Sequence, residues 1–452
     1  MPAVVSSRIP APRVATPANA LTHSLVRQLD EVQWWDREKI RSNQLLEIRK
    51  LLRHASGHST YYQALLANTD IDRLSLAQFG RLPVLERATL QRERARINCS
   101  RTPREHGSLS EMMTSGSTGV PVVIQSTGLV AAVWAAVSLR DHLWHGRDAR
   151  QRNAALRWRK ENIGLAPEGR SFADWGPPHN QFFETGPGYY LNTSSDIEQQ
   201  LDWLRRRDPH YLITHPSNLR ALLLAMRRHA WRPASLRQVR TVGEALPAEL
   251  RELVAEVLEI PLVDCYSSQE AGYIALQCPR HEHYHVQAEN LYVEVLDEEG
   301  IPCRPGASGR VVITSLRNYA TPLIRYAIGD YAEVGADCSC GRGLPVLARI
   351  EGRVRNMLRL PGGGLRWPNL GFSEIMRVAA PRQFQVVQEA PDRLRVRLVV
   401  DAPLAADQES AIIAILRRFL DFPYRITLSY HDAIPRSAGG KYEDFLSLLG
   451  DD

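Results

Sequence analysis

Between residues 194 and 266, three amphipathic helical patterns alternate with short β-branched runs, and this alternation restricts the fold more than any other feature of the chain. The helical segments are SSDIEQQLDWLRRR, SNLRALLLAMRRHA and PAELRELVAEVLE; the runs beside them are HYLIT, RQVRTVG and PLVDCY. Apolar residues three and four apart place one face of each helix against a core, while a short run followed by a helix returns as a parallel strand. The expected fold class is therefore α/β, a parallel sheet covered by helices.

The flanks extend this reading. From Glu31 to about Leu66 the apolar spacing predicts a helical lead-in. After Glu289 the runs LYVEVLD and GRVVITSL, with a turn at Glu299-Gly300, predict an antiparallel extension of the same domain. From about Asn356 the strands QFQVVQE, RLRVRLVV and YRITLSY and the helix ESAIIAILRRFL fit a small α+β domain. The expected division is a flexible tail over 1–25, a large domain over 26–354 and a small one over 355–452, since 452 residues exceed one ordinary core.

Composition excludes several function classes. The net charge of +6, from 56 basic and 50 acidic residues, is dispersed, without a basic arm or helix-turn-helix pattern, which argues against a nucleic-acid partner. No run of 18 apolar residues suits a membrane span, and the start MPAVVSSRIPAPRVATPANA lacks the apolar segment of a signal peptide. The expected location is cytoplasmic, where the six cysteines are thiols or metal ligands rather than disulfides.

The stretch TSGSTGVP, with Thr114, Ser115, Gly116, Ser117, Thr118 and Gly119, gathers small donors in one loop. Backbone N–H groups of a Gly-rich loop form an anion-binding concavity, and hydroxyls add donors for phosphate oxygens. No Lys follows the second glycine, so it is not a Walker-type loop. Downstream stand YSSQE at 266–270, IRYAIGD at 324–330, EGRVR at 351–355 and PRSAGGK at 435–441.

In order and spacing these five motifs resemble the adenylate-forming superfamily, and within it the phenylacetate-CoA ligase branch and its CapK-like relatives, over residues 30 to 446. The resemblance implies a large multi-sheet N-terminal domain and a small mobile C-terminal domain. It gives Thr114 to Gly119 to the β- and γ-phosphates of ATP, Gly243, Glu244 and Ala245 to the turn beside adenine, and Asp264 and Tyr266 to adenine itself. It further gives Glu270 to Mg²⁺, Asp330 and its neighbour Arg353 to the ribose, Arg355 to the hinge and Lys441 to catalysis from the mobile domain. The chemistry agrees: charge gathers at the α-phosphate during adenylation, where a lysine and a hard cation are wanted. Departures are Val122 after the loop's Pro, Ser267 after the aromatic and Ile328 before Gly329-Asp330.

The implied activity joins a small carboxylic acid to AMP, releasing pyrophosphate, and passes the acyl group to a thiol, either CoA or the phosphopantetheine of an acyl carrier protein. Transfer to an amine, or nucleotide binding without catalysis, are the alternatives; a homodimer is left open. Trp134, His215 and the aromatic stretch at 182–189 are candidate acyl-pocket material for an aromatic acid. His285 joins them through the resemblance. Cys278-Pro-Arg-His281 and Cys338-Ser-Cys340 are two short ligand pairs that could complete a structural Cys₃His zinc site, with His283 the rival to His281.

Overall fold

The computed structural model describes residues 10–113, 121–159, 163–353, 356–379, 381–435 and 442–449. Its centre is a parallel block of strands in the spatial order Gly188–Asn192, Asn153–Arg157, Tyr211–Thr214, Gln238–Val242 and Leu262–Ser268. The helices Ile197–Arg207, Pro216–Arg228 and Ala248–Val257 connect or follow these strands and cover one face. In the middle helix Leu219, Leu222, Leu223 and Met226 repeat at three and four residues and are all buried. Pro216 occupies its first turn, where a missing N–H costs nothing.

Beyond Leu262–Ser268 the sheet continues antiparallel through Gly272–Gln277, Tyr284–Val286, Val346–Arg353, Tyr326–Val334, Ser308–Ser315 and Leu291–Leu296. With the edge strand Arg170–Phe172, twelve strands among the described residues form one mixed sheet. The α/β expectation thus holds, with the extension after Glu289 carried by the same sheet.

The other face of the parallel block is covered by Gly128–Trp144 and Ala20–Val32, whose Val26 and Leu29 join Val133, Ala136 and Val137 in a core with Phe182 and Phe183. Helix thus begins at Ala20, inside the segment read as a flexible tail, because Val26, Leu29 and Val32 form an apolar stripe that needs cover, and the Arg13 N–H donates to the Phe182 carbonyl. The lead-in helix Arg37–His58, capped by the Asp36 side chain on the Lys39 N–H at 2.7 Å, packs on the antiparallel half of the sheet.

A separate core lies after residue 356. Strands Gln383–Ala390, Arg393–Val399, Arg425–Tyr430 and Phe445–Ser447 form a four-stranded sheet packed on Phe372–Val378 and Ala406–Phe419 around Phe384, Val396 and Leu416.

Candidate functional site

At the carboxyl ends of the parallel strands the chain opens a cavity of about 710 Å³, the place where open α/β sheets bind ligands. Strand Gln238–Val242 ends in Gly243, whose φ of +84° makes the turn that presents Glu244 and Ala245 to the cavity. The next strand contributes Asp264 and Tyr266, and the loop after it Glu270. Asp330 and Arg353 arrive from adjacent antiparallel strands, where they stand opposite each other in register.

These side chains form one bonded set. Tyr266 donates its hydroxyl to Asp330 Oδ2 at 2.8 Å, while Arg353 Nε lies 3.4 Å from Asp330 Oδ1. The carboxylate is thereby fixed in orientation yet keeps contact with the cavity. Burial, then the Asp330 carboxylate, pushes the Tyr266 phenol well above its usual range, so it stays a donor. Glu270 is 6% exposed and lies 3.4 Å from Arg87 Nη1. Arg87 and Trp367 line the same cavity and were not singled out in the sequence.

Asp264, expected beside the adenine, lines the cavity with its carboxylate engaged inside the protein. Its carboxylate accepts from Thr241 Oγ1 at 2.6 Å and from the Tyr284 hydroxyl at 2.7 Å. Both oxygens are committed, and the group supports the cavity floor. Burial, against those two hydrogen bonds, raises its pKa to about 6.

The C-terminal unit closes the cavity. Tyr442 N–H donates to Glu244 Oε1 at 2.9 Å, and the same carboxylate accepts from Ser217 N–H at 2.9 Å. Asp444 receives Arg220 Nη1 on both oxygens at 2.7 and 2.8 Å, and the Arg220 guanidinium lies 4.3 Å over the Phe372 ring. Lys441, Thr114 to Gly119 and Arg355 lie outside the described residues. The strands Leu109–Met113 and Val123–Thr127 that flank 114–120 pair as a ribbon, and Tyr442 adjoins Lys441 in sequence.

Of the acyl-pocket candidates, Trp134 lies against Gly272, where a Cβ would come within 3.3 Å of its ring, and edge-on to Tyr273. His215 precedes helix Pro216–Arg228, its Nδ1 2.8 Å from the Val242 carbonyl. His285 lies at the far end of the helix that carries Trp134. Alternation along Tyr284–Val286 sends Tyr284 to Asp264 and turns His285 to Trp144, 5.8 Å between ring centres, with its Nε2 3.4 Å from Cys340 Sγ.

The two cysteine pairs do meet. Cys278 Sγ and Cys338 Sγ are 3.8 Å apart, far beyond a disulfide, and ligand atoms of Cys278, His283, His285 and Cys338 all lie within 4.8 Å of one another. The expected His281 is outside this group: it is at the surface with Nε2 3.0 Å from Ser339 Oγ. His283 Nε2 and His285 Nδ1, in contrast, are buried without a hydrogen-bond partner. Such thiol and imidazole spacing fits the donor set of a tetrahedral zinc ion.

No family model matches the chain. It is 23% identical over 453 aligned residues, 92% of this chain and 98% of the other, to a phenylacetate-coenzyme A ligase of Thermus thermophilus. Its fold matches that of a 2-hydroxyisobutyryl-CoA ligase in the postadenylation state with 2-HIB-AMP, at a TM-score of 0.71 and 18% identity over 91% of this chain and 90% of that one. An anthranilate CoA ligase in complex with anthranoyl-AMP matches with a TM-score of 0.56 and 19% identity over 74% of this chain and 64% of that one. The expected likeness to phenylacetate-CoA ligases is met in sequence, and the expected likeness to adenylate-forming CoA ligases is met in fold.

Proposed function

We propose that this chain is an AMP-forming acid–thiol ligase: an oxygen of a small carboxylic acid attacks the α-phosphorus of ATP, pyrophosphate leaves, and a thiol sulfur then attacks the acyl carbon and releases AMP. The observation that carries this reading is the convergence of Glu244, Tyr266, Glu270, Asp330 and Arg353 on one cavity closed by Tyr442 of the C-terminal unit. CoA is the proposed acceptor, in keeping with the relatives.

Each residue has a physical task. Asp330, aimed by Tyr266 and Arg353, accepts from the ribose hydroxyls. The 243–245 turn and Tyr266 flank the adenine. Thr114 to Gly119 hold the β- and γ-phosphates through backbone N–H groups and hydroxyls. Lys441 brings a positive charge to the oxygens around the α-phosphorus as the acid attacks. Glu270 would hold Mg²⁺, since that ion takes one or two carboxylates with phosphate oxygens, and it would supply charge neutralisation there.

The C-terminal unit delivers Lys441 in the docked position and turns away, about a hinge at Arg355, for the second half-reaction. The large domain then takes in the helix from Ala20 and ends at 354, and the mobile one spans 355–452. Cys278 and Cys338, with ligands from among His283, His285 and Cys340, would hold a structural zinc that ties the loop at 278–285 to that at 338–340. The proposed location is cytoplasmic, and no helix among the described residues is long and apolar enough to cross a membrane.

The test is product analysis with ATP, CoA and a panel of aryl, arylacetic, fatty and hydroxy acids. Stoichiometric AMP and acyl-CoA support the reading; ADP and phosphate as products contradict it.

A further inference from the structure

Behind Cys265, on the wall of the cavity, lies a charged cluster that the adenylation chemistry leaves unused. Helix Gly128–Trp144 and strand Gln238–Val242 face each other there, and Asp141 of the helix pairs with two guanidiniums. Its Oδ2 lies 2.6 Å from Arg147 Nη1 and 3.2 Å from Arg240 Nε. One carboxylate thus serves two cations. Arg147 is also fixed by Gln238 at 2.6 Å, and Arg240 Nη2 donates to the Tyr273 hydroxyl at 3.0 Å.

The surrounding imidazoles do not balance the charge. Burial, then neighbouring guanidiniums, hold His179 at about 4, and burial likewise holds His145 at about 4, so both are neutral at pH 7. The cluster therefore keeps one positive charge in excess. It also has a donor to spare: Arg147 Nη2 is buried without a hydrogen-bond partner beside the fully buried Asp141. A buried charge without its counter-ion costs several kcal/mol, and buried polar atoms without partners call for a missing one.

The cluster adjoins the reaction cavity. Cys265, part of the cavity wall, has its thiol 3.5 Å from Arg240 Nη2. Ile213 and Tyr273 remain half-buried on the same side of the sheet, with Trp134 edge-on to Tyr273 and His179 edge-on to His142 of the Trp134 helix. Arg240 stands two residues before Val242 on its strand, roughly 7 Å deeper than the residue that precedes the adenine turn.

Resting on the ligase reading above, we propose that Arg240, with Tyr273 and His179, forms a subsite for an anionic group at the far end of the substrate acid, so that the enzyme's substrates are acids with a second, distal carboxylate. The anion would neutralise the excess charge, and its charge-assisted hydrogen bonds would be made out of water, where they are strongest. An acid with an apolar end would leave the cluster as it is.

The experiment compares matched acids in ATP–pyrophosphate exchange: phenylacetate against 4-carboxyphenylacetate, and hexanoate against adipate. A preference of at least tenfold in kcat/KM for the dicarboxylates is expected, lost in Arg240→Met and partly kept in Arg240→Lys, with KM for ATP unchanged. Equal or better use of the apolar acids overturns the subsite and leaves the ligase reading standing. Exchange with none of the four acids counts against the ligase reading, and then calorimetric binding of 4-carboxyphenylacetate alone decides the subsite. Binding that disappears in Arg240→Met sustains it; no binding to the unmutated chain overturns it.

Discussion

The ion pair between Arg220 and Asp444 joins the two units across 224 residues of sequence, with side chains 12% and 27% exposed. Replacing Asp444 by Asn keeps the shape and removes the charge. Hydrogen bonds to charged groups contribute roughly 1.5–3 kcal/mol each way. Arg220 retains its stacking on Phe372, and the Tyr442–Glu244 bond still holds the unit, so the expected loss is nearer the middle, about 2 kcal/mol. That lowers the docked-to-undocked ratio about thirtyfold, at 1.36 kcal/mol per decade. If the docked arrangement is the adenylating one, ATP–pyrophosphate exchange falls by up to that factor. Thioester formation from a supplied acyl-AMP, which requires undocking, is unchanged or faster. Stopped-flow assays of the two half-reactions measure both. An equal fall in both, or a fall confined to thioester formation, refutes the reasoning, and a double-mutant cycle with Arg220→Ala shows whether the effect belongs to the pair.

Three further outcomes follow from the geometry. Asp330→Ala should raise KM for ATP at least tenfold and also lower the unfolding temperature, since the buried Tyr266 hydroxyl loses its acceptor at a cost of about 1–3 kcal/mol; an unaltered KM in the folded variant contradicts the ribose assignment. Asp264 has a folded pKa of about 6, above the unfolded value of roughly 3.9, so the folded state binds its proton more tightly. Its stability contribution is therefore largest below about pH 4 and is lost as pH rises through 6, by up to about 3 kcal/mol. Urea unfolding should show the stability gap between the unmutated chain and Asp264→Asn changing over this window, and parallel pH curves would contradict it. Metal analysis should find about one zinc per chain, reduced together with thermal stability in Cys338→Ser and unaffected in His281→Ala. A loss in His281→Ala would restore the ligand inferred from the C-x-x-H spacing.

Much of this was legible locally. The alternation over 194–266 marked RQVRTVG and PLVDCY as strands, since periodicity is a short-range signal, while the site roles of Gly243, Asp264 and Tyr266 within them came from the resemblance of the five motifs. The role of His285 was not legible, because a short strand shows which residues alternate but not which parity faces which partner. Only pairing between Gly272–Gln277 and Val346–Arg353 sets that. Arg87, Arg220 and Asp444 carry no local mark: each is an ordinary charged residue whose partner is brought near by the fold. The helix at Ala20 had a signal in Val26, Leu29 and Val32, obscured by the Pro- and Ala-rich stretch before it.

The central claim is that this cavity adenylates a carboxylic acid, and carboxylate-dependent ATP–pyrophosphate exchange tests it most directly, with Lys441→Ala alongside. Exchange that requires one class of acid and falls at least a hundredfold in the variant is the predicted result. No exchange with any acid, in a protein shown by calorimetry to bind ATP, would contradict it.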